Sequence, residues 1–153
     1  MPNITPVLSS PDFPKRADVV IIGAGIVGIS TAMELQARGL DVVVLEKGEV
    51  AAEQSSRNWG WCRQMGRDPR EIPLIKESMK LWRGMNARIG AETGYRTCGI
   101  HYQAETKADY ADSADWFDDN VEQYGLSTRL LTAQQTQDLT PGLATPWIGG
   151  LYT

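Results

Sequence analysis

The sequence predicts an α/β protein that opens with a parallel βαβ unit. Three observations carry this. An apolar run, Asp18-Val-Val-Ile-Ile22, leads straight into a glycine triplet, Gly23-Ala-Gly-Ile-Val-Gly28. Apolar positions then recur at helical spacing from about Ile26 to Arg38. A second apolar run, Asp41 to Leu45, ends on an acid, Glu46. Strand, glycine turn, helix, strand and terminal acid in this order form a Rossmann-like dinucleotide-binding fingerprint.

Each part has a physical task. The first run is apolar throughout, as suits a strand covered on both faces of a parallel sheet. Gly23 permits a tight turn, Gly25 lets backbone approach a pyrophosphate, and Gly28 allows close helix–sheet packing. Gly23, Ala24, Gly25, Ile26, Val27 and Gly28 are therefore candidate cofactor contacts. The helix opening at Ile26 offers unpaired N–H groups and a positive dipole end to phosphate oxygens. Gly39 is a plausible stop. Glu46 stands where a carboxylate can accept hydrogen bonds from a ribose diol, and it disfavours a 2′-phosphate, an objection Lys47 softens. NAD and FAD share adenosine ribose and pyrophosphate, so this element alone does not separate them.

The next stretch, Gly48 to Asp68, has no clear period. It is rich in small, hydroxyl and amide residues, then in aromatic and guanidinium groups. Such a segment can run along the rest of an extended cofactor. Ser55 and Ser56 can bond phosphate or ribitol oxygens, and Arg57 can offset phosphate charge. Asn58, Trp59, Gly60 and Trp61 can border a flat ring; a surface loop with two tryptophans set into a core is the other reading. Beyond it, Ile72, Ile75, Met79, Trp82, Met85 and Ile89 make Arg70 to Ile89 an amphipathic helix, with Pro73 in its first turn. Tyr95 to Gln103 reads as a strand, in which Arg96 is read as pairing across the sheet in preference to binding a substrate carboxylate, and His101 as a strand residue rather than a base. Glu105 to Tyr124 has a helical stripe and a solvated acidic face without calcium-loop spacing. A short strand is expected over Ser127 to Leu131, with Thr132 capping a helix that ends before Pro141. Gly149 to Thr153 reads as a further strand.

With a net charge of −4 and a pI of about 5.0, the chain has no basic field to attract nucleic acid. No apolar run approaches the ~18 residues of a spanning helix, and Met1 to Lys15 has no signal-peptide pattern. The expected setting is cytoplasmic. Cys62 and Cys98 do not make a disulfide framework, neither has metal-ligand spacing, and no metal site is expected. Cys62 is read as an ordinary reduced thiol in preference to a covalent cofactor anchor.

The block from Val19 to Trp61, with EKGEVAAEQSSR from Glu46 to Arg57, and the later LWRGMNARIGAETGYRTCG resemble the amino-terminal part of D-amino-acid-oxidase-like flavoproteins. Within that superfamily the chain is most similar to bacterial L-amino-acid oxidases and deaminases. It departs from the membrane-bound deaminases in Asn58-Trp-Gly-Trp-Cys-Arg-Gln64 after the shared Ser-Ser-Arg, and in lacking an apolar leader. The resemblance implies FAD as cofactor. Gly23, Gly25 and Gly28 would then hold the pyrophosphate and Glu46 the ribose, with Gln54, Ser55, Ser56, Arg57 and Asn58 on the flavin side. It implies oxidation of an amino acid Cα–N bond to an imino acid, which hydrolyses to a keto acid and ammonia, with electrons passing to oxygen or another acceptor. It also implies that a remaining C-terminal part completes the enzyme, in the same polypeptide or as a separate chain.

The expected organisation is a flexible leader (1–16), an FAD-binding βαβ unit with its flavin-contacting segment (17–69), and a helix plus the start of a substrate-domain α/β region (70–153). No catalytic residue is assigned; Arg63 and Gln64 follow the flavin segment but read better as loop surface. An NAD-binding dehydrogenase and a non-catalytic nucleotide-binding subunit needing a partner chain are the alternatives.

Overall fold

The computed structural model describes residues 6–153. The first residues of the expected leader, 1–5, lie outside the described residues. Residues 6–17 form no helix or strand and are mostly exposed. The chain divides into two compact units, one ending at Trp61 and the other spanning Cys62–Thr153.

The first unit is the expected βαβ turn. Strand β1 (Val19–Ile22), helix α1 (Ile26–Ala37) and strand β2 (Val42–Leu45) follow in order, and β1 pairs in parallel with β2, Val19 opposite Val42 through Ile22 opposite Leu45. The expectation of a strand covered on both faces is not met. Burial alternates along β1, with Val20 55% and Ile22 89% exposed. Among the described residues α1 is the helix that packs on this two-stranded sheet, and the outward positions of β1 stay exposed. The stretch after β2 is irregular apart from one short helix, α2 (Gln54–Arg57).

The second unit is antiparallel. Helix α3 (Ile72–Ile89) carries Pro73 in its first turn, where no intrahelical N–H is lost, and closes on Gly90 in the left-handed conformation. Strand β3 (His101–Ala104), helix α4 (Lys107–Tyr124), strand β4 (Arg129–Thr132), helix α5 (Ala133–Leu139) and strand β5 (Gly149–Tyr152) follow. Their sheet runs β3-β5-β4, with β5 antiparallel to both neighbours. Both α4 and α5 begin with a full capping box, Thr106 with Asp109 and Thr132 with Gln135.

The fully buried side chains Met65, Ile72, Leu131 and Thr136 all belong to this unit. Strand β5 has no side chain at its first two positions. A Cβ at Gly150 would lie 2.0 Å from the Tyr102 carbonyl oxygen, and one at Gly149 would lie 2.2 Å from the Tyr110 ring. Only glycine lets the helix and the neighbouring strand come this close.

The strand expected from Tyr95 begins only at His101. Among the described residues, 95–99 form no strand; Ile100 extends the ladder through paired backbone bonds with Thr153. Arg96 therefore does not pair across a sheet. Its guanidinium donates to Glu92 at 3.2 Å and to the Tyr95 carbonyl at 3.1 Å.

Candidate functional site

The site grows from the turn after β1. Gly23 adopts φ +101°, a conformation costly for any side chain, and its N–H donates to the Leu45 carbonyl at 2.7 Å. That bond holds the turn against the end of β2. Gly28 then packs α1 onto the turn: a Cβ there would stand 1.9 Å from the Gly23 carbonyl oxygen and 3.4 Å from Ile21. Its expected role in close helix–strand packing is the observed one.

Glu46 ties the turn to the segment after β2. One carboxylate oxygen accepts the Ala24 N–H at 2.7 Å and the other accepts the Gly48 N–H at 2.9 Å. These two amides, Ala24 first, hold its carboxyl below the usual carboxylate range. Charge at the end of β2 is thus built in, and the remaining lone pairs of both oxygens can accept hydroxyl donors.

A second tie comes from farther along the chain. Helix α1 starts at Gly25, which has no side chain to cap it, and the Ile26 N–H donates instead to Ser55 Oγ at 2.8 Å. A Cβ at Gly25 would meet that same oxygen at 3.0 Å. Ala51 donates its N–H to the Ala24 carbonyl at 3.0 Å and holds φ +61°, the described non-glycine residue with positive φ. Residues 51–55 are thereby strapped to the glycine turn at both ends.

Turn, strand ends and strap border an open pocket of about 350 Å³. Among the expected site residues, Gly23, Gly25, Glu46, Lys47, Gln54 and Ser55 line it. Ala24, Ile26, Val27 and Gly28 lie in the turn and the first turn of α1 without lining it. Glu49, Ala51, Ala52 and Glu53 line the pocket though the sequence did not single them out. They lie within the Glu46 to Arg57 stretch that carries the family resemblance, and they reach the pocket because the strap folds back on the turn. Ser56 points away, donating to the Ala52 and Glu53 carbonyls at 3.0 Å. Arg57 lies 3.4 Å and Lys47 3.5 Å from Glu53, so both cations face one carboxylate. Asn58 donates to the Ser55 carbonyl and accepts the Gly60 N–H, each at 2.6 Å, and Trp59 stands 83% exposed beyond it.

These residues fit a dinucleotide. The helix start presents amides of Val27 and Gly28 ahead of the first i→i−4 bond, made by Ile29 to Gly25, as an anion requires. Gly23 and Gly25 leave no Cβ in the way, and a charged acceptor stands at the end of β2.

The candidates of the second unit are engaged structurally. Arg63 donates to the Met65 carbonyl at 2.8 Å and lies over the Tyr102 ring. His101 sits in β3 against Tyr152 with both ring nitrogens shielded and unpartnered, and burial lowers its pKa. Burial pushes the Cys62 thiol up, away from the thiolate form. Among the described residues no group of three or more His, Cys, Asp or Glu is arranged to hold a metal, and no helix is long and apolar enough to cross a membrane.

Comparison with known proteins places the chain in a family. The solved structure of L-amino acid deaminase from Proteus myxofaciens in complex with anthranilate is 35% identical and superposes with a TM-score of 0.85, covering 97% of this chain and 34% of that one. A curated relative from Rhizobium meliloti, one of the subunits of an opine oxidase, is 28% identical over 151 residues, covering 90% of this chain and 40% of the relative. The pyruvate dehydrogenase phosphatase regulatory subunit of Mus musculus is 28% identical over 141 residues, 91% of this chain and 16% of its own length. The chain thus spans less than half the length of each of these proteins. The family described as FAD dependent oxidoreductase, DAO, matches residues 18–153. From the strand before the glycine turn to the last strand of the antiparallel sheet, this chain belongs to the DAO family of FAD dependent oxidoreductases.

Proposed function

We propose that this chain supplies the FAD-binding portion of an enzyme that oxidises the Cα–N bond of an amino acid. One observation carries the reading: Gly23 and Gly25 of the glycine turn, the Glu46 carboxylate and Ser55, which caps α1, meet at a single pocket. Gly23 to Gly28 would receive the pyrophosphate, Glu46 the adenosine ribose, and Lys47 with residues 54–59 the remainder of the cofactor. Bound FAD would supply a two-electron acceptor. The amino acid loses the hydride from Cα and a proton from nitrogen; water then converts the imino acid to a keto acid and ammonia. Electrons leave to oxygen or another acceptor. Support for the substrate class comes from the Proteus deaminase and the opine oxidase among the relatives.

In this reading residues 17–69 are the FAD-binding unit and 70–153 begin the substrate region, to be completed by a C-terminal part. The test is a visible spectrum of the purified protein before and after denaturation, followed by keto-acid and peroxide assays over L- and D-amino acids. Flavin released on denaturation, with keto acid formed from L-isomers, is the expected result. A colourless protein that takes up NAD would sink the reading.

A second reading rests on a specific observation. One relative that matches nearly all of this chain is named a regulatory subunit. A non-catalytic member would release flavin yet form no keto acid from any amino acid.

A further inference from the structure

The strap that borders the pocket carries a carboxylate with no part in capping its own helix. Glu53 stands at the N-terminus of α2, yet its side chain accepts from none of that helix's N–H groups. Its two oxygens instead face two cations, Lys47 at 3.5 Å from one and Arg57 at 3.4 Å from the other. Lys47 follows the end of β2 and Arg57 ends α2, so a single carboxylate bridges two stretches of chain. Glu46 is next to Lys47 in sequence, but both its oxygens already accept backbone amides, those of Ala24 and Gly48.

The bridge is open to exchange. Both separations exceed the roughly 2.7–2.9 Å of a strong charge-assisted bond, and the Glu53 side chain is 57% exposed. Exposed pairs of this kind stabilise a fold little, because water and salt compete for each partner. Their location is specific, however. Lys47 and Glu53 line the same pocket as Gly23 and Gly25, where the glycine turn would receive the pyrophosphate. A pyrophosphate there brings negative charge up to a carboxylate that already holds the nearby cations. One anion must give way. The two repel each other, and the pyrophosphate, with more charge and more acceptor oxygens, is the stronger partner for an ammonium and a guanidinium.

We infer that Glu53 is an internal competitor of the cofactor's pyrophosphate, holding Lys47 and Arg57 until the phosphates take its place. This rests on the FAD reading above and adds to it a residue that lowers affinity. Because one anion is exchanged for another at the two cations, wild-type binding depends only weakly on salt.

The test is titration of the flavin-stripped full chain with FAD, followed by the change in flavin emission. It is run at low salt and at about 1 M salt, where charges are screened within about 3 Å. Glu53→Gln is expected to tighten FAD binding several-fold at low salt, with the gain lost at high salt. Glu49→Gln removes the same charge from the same pocket, but Glu49 pairs with no cation among the described residues, and a smaller gain is expected. In a Lys47→Gln background the gain from Glu53→Gln is expected to shrink, since one of the two held cations is gone. Unchanged or weaker binding in Glu53→Gln would overturn the competitor and leave the FAD reading standing. An equal gain from Glu49→Gln, or an undiminished gain in the Lys47→Gln background, would overturn it as well. A wild-type chain that takes up no FAD would remove both.

Discussion

The two units reach order by different routes. The second is organised around buried side chains, Met65, Ile72, Leu131 and Leu151 among them. Among its described residues the first has one buried hydrophobic side chain, Ala24, and α1 has none. Its definition comes from backbone: a positive-φ glycine, a helix pressed onto a carbonyl, two carboxylate-to-amide bonds and a serine that caps a helix from 29 residues away. A core tolerates many sequences of suitable volume. A backbone-defined site tolerates few, and that is why it can be read.

The contrast can be broken most forcefully from the core. Leu131→Ala, at 2% exposure, is expected to cost about 2–5 kcal/mol and to lose amide protection across 101–152 while residues 19–46 stay protected, as hydrogen exchange would record. Gly28→Ala should do the reverse. Forcing a Cβ against the Gly23 carbonyl is expected to cost about 1–3 kcal/mol and to abolish flavin retention after gel filtration, with the protection of the antiparallel sheet intact. If both variants melted both units alike, the contrast would be wrong. Thr106→Ala, which removes the cap of α4, should cost about 1 kcal/mol in denaturant midpoint without touching flavin content.

Acid offers the mildest probe. The folded-state pKa of His101 lies below its ordinary 6.5, so the unfolded chain binds the proton more readily and stability falls as pH drops below that value. Glu46 lies below its ordinary 4.5, so its contribution is present above that pH and is lost as pH falls through the lowered value. Near-UV circular dichroism followed downward in pH should change first for the sheet bearing Tyr152 and only later for flavin retention. A single coincident transition would contradict this order.

Much of the first unit was legible because its determinants are local. Gly23, Gly25, Gly28 and Glu46 name their positions by spacing; the structure sets Gly23, Gly25 and Glu46 around one pocket and uses Gly28 to press α1 onto the turn. The strap was less legible. The stretch from Gly48 reads as one that can run along a cofactor, but no residue from Glu49 to Glu53 is singled out by type, since its place follows from Ala51 bonding Ala24 across the turn. In the second unit Thr132 was readable as a cap because Gln135 completes the box three residues on. The strand from Tyr95 was over-read. Tyr, Thr and Cys favour strands, but pairing is set by what lies opposite, and Gly99 at φ +80° tucks under the Tyr152 hydroxyl where the ladder thins.

The paired glycines of β5 carry a consequence for folding fidelity. Glycine-rich strands are normally prone to slip, because no side chains distinguish one alignment from the next. Here the missing side chains are what distinguish it. A shift by one residue would carry Ile148 or Leu151 into the place of a glycine, where a Cβ would strike the Tyr102 carbonyl or the Tyr110 ring at close to 2 Å. Misaligned pairings of the central strand are excluded by collision rather than outcompeted by better contacts, so the bare positions act as the strand's proofreading device.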